Sequence, residues 1–212
     1  MVPVETIQEP LKCAVITGGH GHDVLHLHRF FRGLPDVDAY VQHMDDFASA
    51  RASARDSYDG GPWYSGRPKT AWEHLGETEQ GIVILHHAIL AYPQWPVWNE
   101  MVGIPDRSFD HHPEQILRVE IANSDHPITT GLHAWEMADE TYMMDEPGAD
   151  SDILSTADHP KSMSATIAWT RLHKRARVFC FQSGHDNLTW SNPDFGAIVS
   201  RGIQWAAPRI QV

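Results

Sequence analysis

The first 44 residues constrain the fold most. "LKCAVIT" (11–17) has the pattern of a short buried strand and is closed by the turn "GGHGHD". "DVLHLHRFFRGL" (23–34) follows with helical spacing at Val24, Leu27, Phe30, Phe31 and Leu34, and Asp23 stands where a cap is needed. "VDAYVQHM" (37–44) then alternates, with Val37, Ala39 and Val41 on one face. Strand, helix and strand in that order predict a β-α-β unit, and with it an open, mostly parallel sheet flanked by helices.

The rest of the chain supplies further elements. "KTAWEHLGETEQ" (69–80) predicts a short amphipathic helix leading into the strand "GIVIL" (81–85), and "PQWPVWNEMVGI" (93–104) predicts a Trp-rich helix with Pro96 near its start. "QILRVEIA" (115–122), "DILSTA" (152–157), "SATIAWTR" (164–171) and "ARVFCFQ" (176–182) read as strands, "EMADETYMM" (136–144) as an irregular one, and "DFGAIVSRGIQW" (194–205) as a closing helix. Residues 45–80 contain no apolar run fit for a central strand. No internal repeat or low-complexity linker interrupts the pattern, so residues 1–212 are expected to form one domain.

Composition narrows the partners. The net charge is -12, from 28 acidic against 16 basic residues, and no basic patch offsets it. Such a surface repels nucleic acid and anionic membranes, so neither is expected as a partner, and a small neutral or cationic ligand is. The polar start "MVPVETIQEPLK" and the short apolar run after it do not form a leader or a span. Cys13 and Cys180 each lie inside an apolar strand and read as reduced packing residues. A cytoplasmic location is the expectation from these features.

The chain has 15 histidines, and three segments put them where strands end. "AVIT" runs into "GGHGHD", "GIVIL" into "HHA", and "VFCFQ" into "SGHD". In an open parallel sheet, ligands bind outside the carboxyl ends of the strands, so these three ends predict a site. Gly19 would bring backbone N–H groups to a ligand while His20 or His22 points inward. Period-two geometry sends His86 and His87 to opposite faces, which predicts that at most one of them reaches the site. Asp186 beside His185 serves equally as an active group or as a cap for the next segment. Asp139 and Glu140 lie in an apolar, aromatic stretch, where a buried carboxylate needs an imidazole, a metal or water as partner.

The segments "AVITGGHGHD", "GIVILHHAILAYPQWPVWNEMVGI", "DHPITTGLHAWEMADETY" and "IAWTRLHKRARVFCFQSGHDNLTWSNPDF", taken in order, resemble the trehalose-utilisation (ThuA-like) family. The resemblance implies the class I glutamine-amidotransferase-like, flavodoxin-like three-layer α/β fold. Amidotransferases of that fold carry a nucleophilic cysteine at the turn after the strand corresponding to "GIVIL". Here His86 and His87 stand at that turn, so glutamine hydrolysis by a thiol is not expected. The catalytic histidine of those enzymes follows a late strand, a region that His185 matches. Family members usually carry one more apolar strand before "GIVIL", and "ARDSYDGGPWYSGRP" offers none.

Three functions follow as expectations. The first is an enzyme of trehalose or keto-sugar metabolism that binds a divalent metal, zinc by preference, through His22, His86 and His185, with Glu140 as fourth ligand or general base. Glu140, His185 and Asp186 are then the catalytic candidates, and Gly19, His20, His87 and Asp139 the substrate-binding ones. Trp63, Trp95, Trp98 and Trp190 offer stacking faces for a sugar, or packing. The second is metal-free acid–base catalysis, an isomerase or hydrolase in which His185 and Glu140 exchange the proton. The third is a non-catalytic carbohydrate-binding or regulatory domain. "YPQWPVWNEMVGI" reads either as core or as the interface of a homo-oligomer.

Overall fold

A computed structural model describes residues 9–44, 66–107, 110–157 and 165–210. The β-α-β opening forms as the sequence predicts. Strand β1 (Leu11–Thr17) leads to helix α1 (Val24–Gly33), whose first turn is capped by Asp23 accepting from the His26 N–H, and to β2 (Val37–His43). β1 and β2 pair in parallel as a separate two-stranded sheet. Residues 45–65, which include Trp63 and most of the stretch without a strand pattern, lie outside the described residues. The chain is described again from helix α2 (Gly66–Glu73), and Trp72 on it is buried.

Strand β3 (Ile82–Leu85) runs into a 3-10 turn (His86–Leu90), and helix α3 (Pro96–Val102) follows with Pro96 in its first turn. The remaining strands are β4 (Asp110–Ile121), β5 (Trp135–Met143), β6 (Asp152–Ala157), β7 (Thr166–His173) and β8 (Ala176–Phe181). Helices α4 (Asn187–Trp190) and α5 (Pro193–Ala206) end the chain. The main sheet has the order β3-β8-β7-β6-β4-β5. Only its β3–β8 pair is parallel; the other four are antiparallel, so the expected mostly parallel sheet is corrected to a mixed one. The reason is the length of the connections. Lys174 and Arg175 alone separate β7 from β8, with Lys174 at φ 52°. A parallel crossover needs a dozen residues or more, whereas two suffice for a hairpin.

Each face of this sheet buries its own core. On β8, Phe179 and Phe181 pack toward Phe31, Phe195 and Ile198 of α1 and α5, while Val178 and Cys180 pack toward Trp98, Met101 and Trp169. Trp95, Trp98, Met101 and Val102 of α3 and its cap are all buried, which settles the Trp-rich segment as core. The sheet also curls. Four strand spacings between β8 and β5 would separate flat neighbours by about 19 Å. Yet the Gly184 N–H just beyond β8 lies 2.9 Å from the Asp139 carboxylate on β5. That curl brings two acidic side chains to the carboxyl end of β8. No helix among the described residues is long and apolar enough to cross a membrane.

Candidate metal centre at three strand ends

The carboxyl ends of β1, β3 and β8 meet. After β1, Gly18 and Gly19 turn the chain with Gly19 at φ 77°, a conformation glycine adopts without strain. The turn delivers His20, whose ring stacks on His87 at 3.8 Å and 22°. After β8, Ser183-Gly184-His185 brings the His185 ring to 5.4 Å from that of His86.

The two adjacent histidines both face the site, contrary to the period-two expectation. β3 stops at Leu85, and His86 takes the left-handed conformation at φ 52° before the 3-10 turn begins. The chain therefore leaves strand geometry at this residue, and the alternation that would have separated the two rings ends with it. His86 Nε2 and His87 Nε2 each lie 3.5 Å from Glu140 Oε1. His185 Nδ1 lies 3.2 Å from Glu140 Oε2 and 3.4 Å from His86 Nε2. One ligand atom from each of His86, His87, Glu140 and His185 falls within 4.8 Å of the others.

Protonation sharpens the picture. His86 Nδ1 is 3.1 Å from the Gln182 carbonyl oxygen, which can only accept, so Nδ1 carries the proton. Burial holds the His86 pKa well below the ordinary histidine value, and the ring is neutral. Its Nε2 therefore points a lone pair, not a proton, at a carboxylate oxygen. Burial and the neighbouring His20 and His185 hold His87 down to about 4. Glu140 is buried, and its Oε1 accepts no hydrogen bond among the described residues. Three imidazoles and a carboxylate side chain thus converge, with a lone pair of His86 Nε2 facing Glu140 Oε1. Such a set could hold a cation: donors ~2.0–2.1 Å from a tetrahedral ion sit ~3.4 Å apart, close to the spacings here.

The supporting shell is more specific than the sequence suggested. Asp139 Oδ2 accepts from the Gly184 N–H at 2.9 Å, and Oδ1 from the His185 and Glu140 N–H groups at 3.2 and 2.9 Å. Burial pushes its carboxyl up to about 6 against the pull of those donors. With both oxygens so occupied, Asp139 holds the His185 loop in place. Asp186 caps α4, its Oδ1 accepting from the Leu188 and Thr189 N–H groups at 2.8 and 3.3 Å. His22 stands apart from the four converging groups, with its Nδ1 3.3 Å from the His20 carbonyl oxygen. Trp190 donates its indole N–H to the Gly184 carbonyl at 2.8 Å and so braces the same loop.

Tyr142 was not among the sequence candidates. Its hydroxyl lies 3.1 Å from His86 Nδ1, and burial with the Glu140 charge holds its pKa above the ordinary tyrosine value. The signal for it was present: two residues beyond Glu140 on β5, it shares that residue's face. Cys13 and Cys180 are free thiols and belong to no such cluster. Burial raises both of their pKa values, as expected of packing residues.

The fold has relatives of known structure. A ThuA-like protein from Parabacteroides merdae is 23% identical, with 96% of this chain and 93% of that one covered at a TM-score of 0.74. A GMP synthase component from Thermoplasma acidophilum is 14% identical, covering 95% and 96% at 0.58. A glutamine amidotransferase from Thermotoga maritima is 7% identical, covering 94% and 99% at 0.50. At such identities the likeness is one of fold, the glutamine-amidotransferase-like α/β class. No curated protein matches the chain. The family model described as "ThuA: Trehalose utilisation" matches residues 68–206, which include His86, His87 and His185 as well as Asp139 and Glu140. The chain belongs to the ThuA trehalose-utilisation family.

Proposed function

We propose that this chain is an enzyme of carbohydrate metabolism that acts on a keto-sugar related to trehalose and works through a divalent metal, zinc by preference. His86, His87 and His185 would hold the ion with Glu140, a donor set that suits zinc. His87 takes the place that the sequence had given to His22. The observation that carries this reading is the buried Glu140 Oε1, without a hydrogen bond and 3.5 Å from two imidazole nitrogens. His185 and the Tyr142 hydroxyl serve this carboxylate, and a cation at the centre would satisfy the oxygen left without a hydrogen bond among the described residues. When bound, zinc would supply Lewis acidity toward a carbonyl.

The protein's own residues do the rest. The Gln182 carbonyl fixes the His86 tautomer, and Asp139 with Trp190 fixes the loop that carries His185. The cavity beside the cluster receives the substrate, with His20 and the Gly18–Gly19 turn at its wall. No thiol nucleophile stands at the turn after β3, so glutaminase activity is not part of the proposal. The expected setting remains the cytoplasm, with a small carbohydrate as partner rather than nucleic acid or membrane, in a chain free to form a homo-oligomer.

Trehalose and its keto derivatives, followed by NMR with the purified chain, test this. Turnover that a chelator abolishes and zinc restores is the expected result. Turnover untouched by chelation would replace the metal with the His185–Glu140 pair, 3.2 Å apart, as the acid–base couple. Saturable binding without any chemical change would make the chain a carbohydrate-binding domain.

A further inference from the structure

Glu140 and Tyr142 are two residues apart on β5 and share a face of it. Tyr142 stands in ladder register with His111 of β4, and its side chain is fully buried. Glu140 has no such partner, because the register shifts between His112 and Gln115 opposite it. The torsion that turns a glutamate carboxylate is broad, so the backbone alone does not decide which oxygen meets the imidazoles. His185 Nδ1 approaches Oε2 at 3.2 Å, and the Tyr142 hydroxyl makes a further hydrogen bond to this carboxylate.

The hydroxyl has one proton to place, and both the His86 ring and the carboxylate are within reach of it. It lies 3.1 Å from Nδ1 and 3.4 Å from Nε2, with the two rings inclined by 25°. A point so nearly equidistant from both nitrogens is off the lone-pair direction of either, and Nδ1 already gives its proton to the Gln182 carbonyl. The hydroxyl proton therefore goes to Glu140, where a charged acceptor makes the stronger bond. We propose that Tyr142 is a positioning residue of the metal centre: its hydroxyl holds one oxygen of Glu140 and so keeps Oε1 turned toward His86 Nε2 and His87 Nε2 as the ligand oxygen. The role rests on the cluster holding a metal. Tyr142 is fully buried, so it acts through Glu140 rather than on substrate.

The test compares the whole chain with its Tyr142→Phe variant, which keeps the ring and its packing and loses only the donor. Zinc affinity is measured by competition with a chromophoric chelator, and the visible spectrum is recorded on the cobalt-loaded forms. Zinc affinity should fall about ten- to hundredfold in the variant, as it does when a partner behind a metal ligand is removed. The cobalt bands should shift as well, because the carboxylate is then free to turn. An unchanged cobalt spectrum would overturn the role, whatever the affinity, and leave Tyr142 a packing residue with the metal reading intact. A wild-type chain that takes up neither ion would overturn that reading and this role together. Should the variant not fold, the wild type decides. A hydroxyl proton held on a buried carboxylate exchanges slowly, so NMR with ring-labelled tyrosine should show one for Tyr142, and a fast-exchanging hydroxyl there would overturn the proposal.

Discussion

His86 and His87 set the acid limit of this molecule. Both have pKa values below the ordinary 6.5, His87 at about 4, because burial and neighbouring imidazoles disfavour their charged forms. A base whose pKa is depressed on folding stabilises the fold above its unfolded value, and that stability is lost as pH falls through the folded value. The metal-free chain should therefore hold its urea midpoint above about pH 6.5 and lose it toward pH 4, a loss that the raised Asp139 carboxyl offsets in part below about pH 6. His87→Gln should flatten that dependence, and a wild-type midpoint constant from pH 7 to 4.5 would contradict the assignment. Asp139→Asn offers a second check. Its new NH₂ group would face a backbone N–H that now has an acceptor, at a cost of about 1–3 kcal/mol in unfolding free energy. If Asp139 only supports the loop, metal affinity should fall with it while the pH dependence from His87 persists.

Packing of α5 on the sheet depends on close approach at the element scale. A Cβ on Gly202 would lie 2.1 Å from the Phe179 ring, so Gly202→Ala must push α5 from β8 or turn the ring. Overpacking of this kind costs about 1–3 kcal/mol, seen as a lowered thermal midpoint; an unchanged midpoint would show that the ring yields freely. Elements were largely legible in the sequence because each carried its own period: α1 with its Asp23 cap, β1, β3, β8 and α5 stand within a residue or two of expectation. Strand direction was not, although the two-residue Lys174-Arg175 link between alternating runs already forbade a parallel crossover there. The joint orientation of His86 and His87 was hidden for another reason. It depends on one residue leaving strand geometry at φ 52°, and no local pattern announces that.

For the whole molecule, the site is an assembly of distant segments. Glu140 meets His86, His87 and His185 only because the sheet curls, and the sequence could nominate Glu140 but not place it. A ligand that ties these segments together must stabilise the fold. At a hundredfold excess over its dissociation constant a bound ion adds about 2.7 kcal/mol. For a chain of this size, chelation should lower the thermal midpoint by roughly 5–10 °C, and an unchanged midpoint would count against a metal that bridges the strand ends.

Elemental analysis of the chain, purified without chelator or histidine tag, shows whether the strand-end cluster holds a metal. Glu140→Gln, His185→Ala and His86→Asn belong beside the wild type; asparagine tolerates the left-handed backbone at position 86 better than alanine does. About one zinc per wild-type chain is expected, lost or sharply reduced in the three variants while their far-UV spectra stay folded. A folded wild type that holds no stoichiometric metal, even after dialysis against zinc, would contradict a metal at this cluster.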